Sequence, residues 1–103
     1  MSTVQLRRYR LEPGRMGDFL AWFPSVLPVR EQFGFRVVFA YADHALDTFT
    51  WAVAHDGDEA EFIATEAVYN ASPERAAVFE TFPRCITEQV NGFVQDALAG
   101  RAG

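Results

Sequence analysis

The sequence contains no lysine; all nine of its basic residues are arginine. That excludes a Schiff-base lysine, and with it pyridoxal-phosphate chemistry and the lysine-dependent aldolase mechanism. A P-loop lysine is missing too, and so are the glycine-rich phosphate fingerprints. Cys85 is the single cysteine, which rules out an internal disulfide, a cysteine-based zinc site and an iron–sulfur cluster. No stretch approaches the roughly 18 apolar residues of a membrane span, and residues 1–10 carry three arginines with no apolar signal core. The expected setting is a soluble, cytoplasmic one. A lysine-free composition rich in alanine and arginine is also what a GC-rich bacterial genome would encode.

At 103 residues the chain is read as one domain. Half of it is hydrophobic and 15% is aromatic, enough apolar mass for a core. A chain this short keeps a large surface for its volume, so burying more surface against a second copy would stabilise it. The net charge of −5 disfavours nucleic acid, whose phosphates require a basic face. Arg7, Arg8 and Arg10 form the only basic cluster, and alternation along a strand puts Arg7 on the face opposite the other two.

Thr3–Leu11 alternates and stops at Pro13-Gly14, as a first strand does. Met16, Phe19, Leu20, Phe23 and Leu27 recur at helical spacing, while Pro24 and Pro28 predict a kink or break within that helix. Gly34 is a candidate left-handed cap. Phe35–Asp43 and Thr48–His55 read as a hairpin whose bulky faces are Phe35, Val37, Phe39 and Tyr41 on one strand and Phe49, Trp51, Val53 and His55 on the other. Matching those faces requires an odd loop such as Ala45–Asp47, with Tyr41 opposite Trp51 and Val37 opposite His55. A helix from Asp58 to Tyr69 follows, with acidic residues at its start. Ser72 then caps a short helix with Pro73 at its first position, ending near Phe82-Pro83. Thr87–Gln95 is the last strand, with Val90 and Val94 opposite Phe93. Residues 96–103 are expected to be a flexible tail.

The order β-α-β-β-α-β is that of an α+β, ferredoxin-like fold with a four-stranded antiparallel sheet and one helical layer. Both sheet faces are apolar, so the face without helices calls for a partner, and a two-fold homodimer supplies it most simply.

Gln5-Leu6-Arg7-Arg8-Tyr9-Arg10-Leu11-Glu12-Pro13-Gly14 resembles the ELRxYxLxPG opening of the NIPSNAP family. Phe19-Leu20, Leu27-Pro28-Val29-Arg30-Glu31 with Gly34, and Ser72-Pro73-Glu74 with Phe79 and Pro83 are similar to that family as well. Gln5 departs from it, standing where a carboxylate is usual. The resemblance spans residues 4–95 and implies the dimeric α/β-barrel superfamily. That superfamily includes cofactor-free monooxygenases, aromatic polyketide cyclases, lactone isomerases and haem-degrading enzymes; fold alone does not select among them.

In such barrels the ligand lies between sheet and helices. Parity then places Tyr41, Trp51 and His55 on the ligand side, with Arg7 and Tyr9 sharing a face of the adjacent strand. Trp22, Phe39 and Tyr69 would complete an aromatic lining. His55 is the candidate base, because an imidazole titrates near neutral pH. Arg7, Tyr9 and Tyr41 would steady an oxyanion. Each assignment has a structural counterpart: a histidine bonded to a carbonyl, aromatics that are core, an Arg7 paired with Glu88. His44 reads as a solvated loop residue and Cys85 as a buried, inert thiol. No metal or other cofactor is expected, although haem on His55 or His44 stays open. The functional expectation is a cofactor-independent cyclase, isomerase or monooxygenase for an aromatic or polyketide-like molecule; the alternative is a non-catalytic dimeric module that binds a ligand or protein.

Overall fold

The computed structural model describes residues 1–98. Strands β1 (Ser2–Leu11), β2 (Arg36–Asp43), β3 (Thr48–Asp56) and β4 (Ile86–Val94) form one antiparallel sheet in the order β2-β3-β1-β4. Helices α1 (Met16–Trp22), α2 (Val26–Gln32), α3 (Glu59–Asn70) and α4 (Pro73–Phe79) connect the strands; buried side chains of α1, α2 and α3 join those of one sheet face in a single core, against which Val78 and Phe79 of α4 pack half-buried. This is the expected α+β, ferredoxin-like arrangement. The tail read beyond Gln95 lies for the most part outside the described residues.

Local chemistry accounts for the boundaries. Pro24 interrupts the first helical segment, and a 3-10 turn over Phe23–Ser25 separates α1 from α2. Gly34 carries φ +89, a left-handed conformation that lets α2 end and β2 begin. Asp58 accepts from the Glu61 backbone N–H while the Glu61 carboxylate reaches back to the Asp58 N–H, a capping box at the start of α3. Ser72 caps α4, with Pro73 at the first turn.

The hairpin differs from the alternation read along it. Arg36 and Val37 pair with Ala54 and Val53, but from Phe39 onward the partners are one residue out of that register: Phe39 with Ala52, Tyr41 with Thr50, Ala42 with Phe49. Val38 is the extra residue of a β-bulge, so the side chains beyond it change face. Phe39 and Tyr41 therefore point away from Trp51 and the helices, stacked on each other at 5.4 Å, with Tyr41 70% exposed. The connection is the even loop 44–47, and Tyr41 does not meet Trp51, nor Val37 His55. On the helix side lie Gln5, Arg7 and Tyr9 of β1 and Phe49, Trp51, Val53 and His55 of β3. On the bare side are Val4, Leu6, Phe39, Tyr41, Val90 and Val94.

Candidate functional site

A cavity of about 280 Å³ lies between the sheet and the helices. Arg7 and Tyr9 of β1, Trp51 of β3 and Gln89 of β4 form its floor. Phe19 and Trp22 of α1, with Phe23, Val26 and Arg30 beyond them, form one wall. Tyr69 and Asn70 of α3, Arg75 and Phe79 of α4, and then Phe82, close it from the other side. The aromatic wall is tied together by one directed bond, in which Trp22 Nε1 donates to the Val78 carbonyl at 2.9 Å. Trp22 also packs at 5.0 Å on Phe79 and 4.8 Å on Phe82.

Three guanidiniums line this aromatic space. Arg30 is 3% exposed; its Nη1 donates to Glu66 Oε2 at 3.0 Å and its Cζ lies 4.2 Å from the centre of the Tyr69 ring. Burial, then the Arg7 charge beside it, push the Arg30 guanidinium below its ordinary value, while Tyr69 and Glu66 act the other way. Arg7 donates from Nε to Tyr9 Oη at 2.9 Å and from Nη1 to Gln5 Oε1 at 2.7 Å. It meets the same Glu66 oxygen at 3.5 Å. The expected partner Glu88 is not there: in the β1–β4 register it faces the bare side and pairs with Arg10 at 3.5 Å. Arg75 lies 3.9 Å over the Phe79 ring and 5.8 Å from that of Tyr69.

Unpartnered donors concentrate here. Four buried side-chain nitrogens have no hydrogen-bond partner among the described residues, and three of them, Arg30 Nε, Trp51 Nε1 and Arg75 Nε, belong to residues that line the cavity. Each is an N–H donor. Tyr9 Oη accepts from Arg7 and keeps its own hydrogen to donate. Burying donors without acceptors is costly, and an acceptor-rich or negatively charged group placed beside them would offset that cost.

Of the residues chosen from sequence, Arg7, Tyr9, Trp22, Trp51 and Tyr69 are brought together around the cavity. Phe39 and Tyr41 lie on the other sheet face. His55 shares the helix-side face but sits beyond the cavity, 5.0 Å from Phe35 and 6.3 Å from Phe62. His44 is on the exposed hairpin loop. Arg30, Arg75 and Glu66 were not singled out. Their signal was a charge set among apolar residues at helical spacing: Arg30 follows Phe23 and Val26, and Glu66 falls between Phe62 and Tyr69. Cys85 is fully buried, and burial pushes its thiol up, away from the reactive thiolate. No cluster of three metal-ligating side chains occurs among the described residues. No described helix is long and apolar enough to cross a membrane.

No family model and no curated protein matches the chain. Solved structures match over nearly its whole length. A NIPSNAP domain protein from Burkholderia xenovorans is 22% identical with a TM-score of 0.79, covering 94% of this chain and 95% of that one. A NIPSNAP family protein of unknown function from Agrobacterium tumefaciens is 13% identical with a TM-score of 0.81, covering 92% and 87%. SnoaB, a cofactor-independent oxygenase from Streptomyces nogalater, is 12% identical with a TM-score of 0.69, covering 98% of each chain. The chain has the fold of the NIPSNAP proteins, as its strand and helix motifs suggested, and that fold is shared with oxygenases.

Proposed function

We propose that this chain is a cofactor-independent enzyme that binds an aromatic or polyketide-like molecule as its enol or phenol and promotes its reaction through the anion. The observation that carries this reading is the concentration of unpartnered N–H donors in the residues that line a cavity walled by aromatic rings. Arg7 and Arg30 share one carboxylate, Glu66, so their corner keeps a positive charge that favours ionisation of a bound enol. Tyr9 Oη–H and Trp51 Nε1–H would then donate to the oxyanion as it forms. In a dry pocket each such donor is worth about 10²–10³ in rate. The aromatic wall orients the ring and excludes water. An enol that ionises to solvent as it enters needs no protein base, which fits a lining that contains no Asp, Glu or His. Cyclisation, isomerisation, or oxygenation with dioxygen as co-substrate would all proceed from that anion. The likeness to SnoaB supports the last of these.

The proposal includes a two-fold homodimer. Val38, Tyr41 and Val90 are each more than half exposed beside Val4, Leu6 and Phe39 on the bare sheet face, and a second sheet would cover them. A Tyr41→Arg variant should shift the species seen by native mass spectrometry from dimer to monomer. A wild-type monomer would remove the barrel from the reading. A cytoplasmic role in bacterial secondary metabolism fits the composition and belongs to the same proposal.

Turnover is tested by incubating the protein in air with hydroxynaphthalene and anthrone compounds, without added flavin, haem or metal, and following absorbance and oxygen uptake. Consumption that falls at least about tenfold in Tyr9→Phe, with the fold retained, supports the enzyme. A lining with no Asp, Glu or His also suits a second reading, a binding module. That reading gains if the compounds bind tightly and are never consumed. Neither binding nor consumption would overturn both.

A further inference from the structure

The cavity has two cationic corners, and only one holds a carboxylate. Arg7 and Arg30 meet at Glu66, close to Trp51. Arg75, on α4, lies 5.8 Å from the Tyr69 ring and pairs with no carboxylate among the described residues. Arg10, Arg15 and Arg36 each have a carboxylate within 4.0 Å on the surface; Arg75 faces the cavity without one. Its guanidinium lies 3.9 Å over the Phe79 ring, so the face is occupied and the in-plane N–H edge is left as the donor edge. Its Nε is closed off from solvent and unpartnered. A half-buried guanidinium held over a ring, with no carboxylate of its own, suits a planar, bidentate anion.

We propose that Arg75 is the specificity determinant for a free carboxylate, so that the ligand is an aromatic acid with its enol or phenol at the Arg7–Arg30 corner and its carboxylate on Arg75. This rests on the enol-binding reading of the same cavity and narrows it to acids. The volume of about 280 Å³ suits a fused bicyclic or tricyclic skeleton. Charge arithmetic agrees: three guanidiniums and one carboxylate leave room for a ligand that carries two negative charges once its enol is ionised.

The test compares 6-hydroxy-2-naphthoate with its methyl ester by isothermal titration calorimetry at fixed ionic strength. The ester keeps the phenol and the ring and loses only the charge. On the wild-type protein the acid should bind about 10–100-fold more tightly than the ester, the worth of one charge-assisted hydrogen-bond pair. Arg75→Met should abolish that preference without weakening the ester, Arg75→Lys should keep part of it, and Arg8→Met, a change on the bare face, should leave it intact. Thermal melting of each variant confirms that it is folded. Equal binding of acid and ester by the wild type would overturn the proposal and leave the enol-binding site standing. So would a preference that survives in Arg75→Met. Failure of both compounds to bind would overturn the enol-binding reading itself.

Discussion

The layer between helices and sheet has two ends built from the same kind of side chain, and only one of them is hollow. At the closed end, Phe62 packs at 5.2 Å on both Phe35 and Phe93, with His55 filling the remaining corner. At the open end, Phe19, Phe23 and Trp51 are equally aromatic and pack at similar distances, yet a cavity remains. The difference is charge. Rings interlock edge to face and squeeze out space, whereas Arg7, Arg30 and Arg75 repel one another and need room for polar partners. Helix α3 spans both ends on one face: Phe62 closes the core, Glu66 holds two guanidiniums, and Tyr69 borders the cavity. Arginine, rather than aromatic content, marks where this core stays hollow.

The sharpest way to break that comparison is at the closed end. Phe62 is fully buried, and Phe62→Ala should cost about 3–5 kcal/mol of stability in a urea titration. Ligand affinity, measured on the folded fraction, should be unchanged. If affinity falls with stability, the two ends are one cooperative unit and the division is wrong.

Glu66 is the hinge of the comparison, and its removal should move stability and binding in opposite directions. Glu66→Gln keeps a hydrogen-bond acceptor but leaves Arg30 and Arg7 without a counter-charge. The cost should be about 1–3 kcal/mol, less than that of fully breaking a buried pair because the Glu66 side chain is 19% exposed. An aromatic carboxylate should bind this variant more tightly than the wild type and raise its melting temperature by a larger increment. A variant that is destabilised and binds no better would show Glu66 to be structural cement only.

Much of the frame was legible because its signals are local. Pro24, Gly34, Asp58 and the Ser72-Pro73 pair each act within one turn of chain, and the structure uses each where the sequence placed it. Arg7, Tyr9 and Trp51 were also placed on a shared face, since alternation holds unbroken along β1 and up to Trp51 in β3. Phe39 and Tyr41 failed for one reason. Val38 inserts a bulge, and no period-two pattern announces an extra residue in a strand whose two faces are both apolar. The pairing of Arg7 with Glu66 rather than Glu88 depends on how α3 lies across the sheet, which no local motif encodes. Arg30 was within reach: a charge on the apolar stripe of a helix is a misfit whose cost asks for an explanation.

The smallest expected effect concerns the residue that sequence made most prominent. His55 is the obvious base by chemistry, but it sits at the closed end, its ring against Phe35 and its Nε2 beside Gly34. Its Nδ1 is buried and unpartnered, and it does not line the cavity. Here an imidazole does the work of a ring. His55→Phe removes an unsatisfied polar atom, which favours folding, and adds a little bulk where a Cβ on Gly34 would already come within 3.4 Å of the ring, which opposes it. The two should nearly cancel, so stability should move by less than about 1 kcal/mol, with ligand affinity and any turnover unchanged. A tenfold loss of turnover in a variant of wild-type stability would reverse the assignment. It would mean that the closed end opens during the reaction, and that the contrast between the two ends describes only the resting protein.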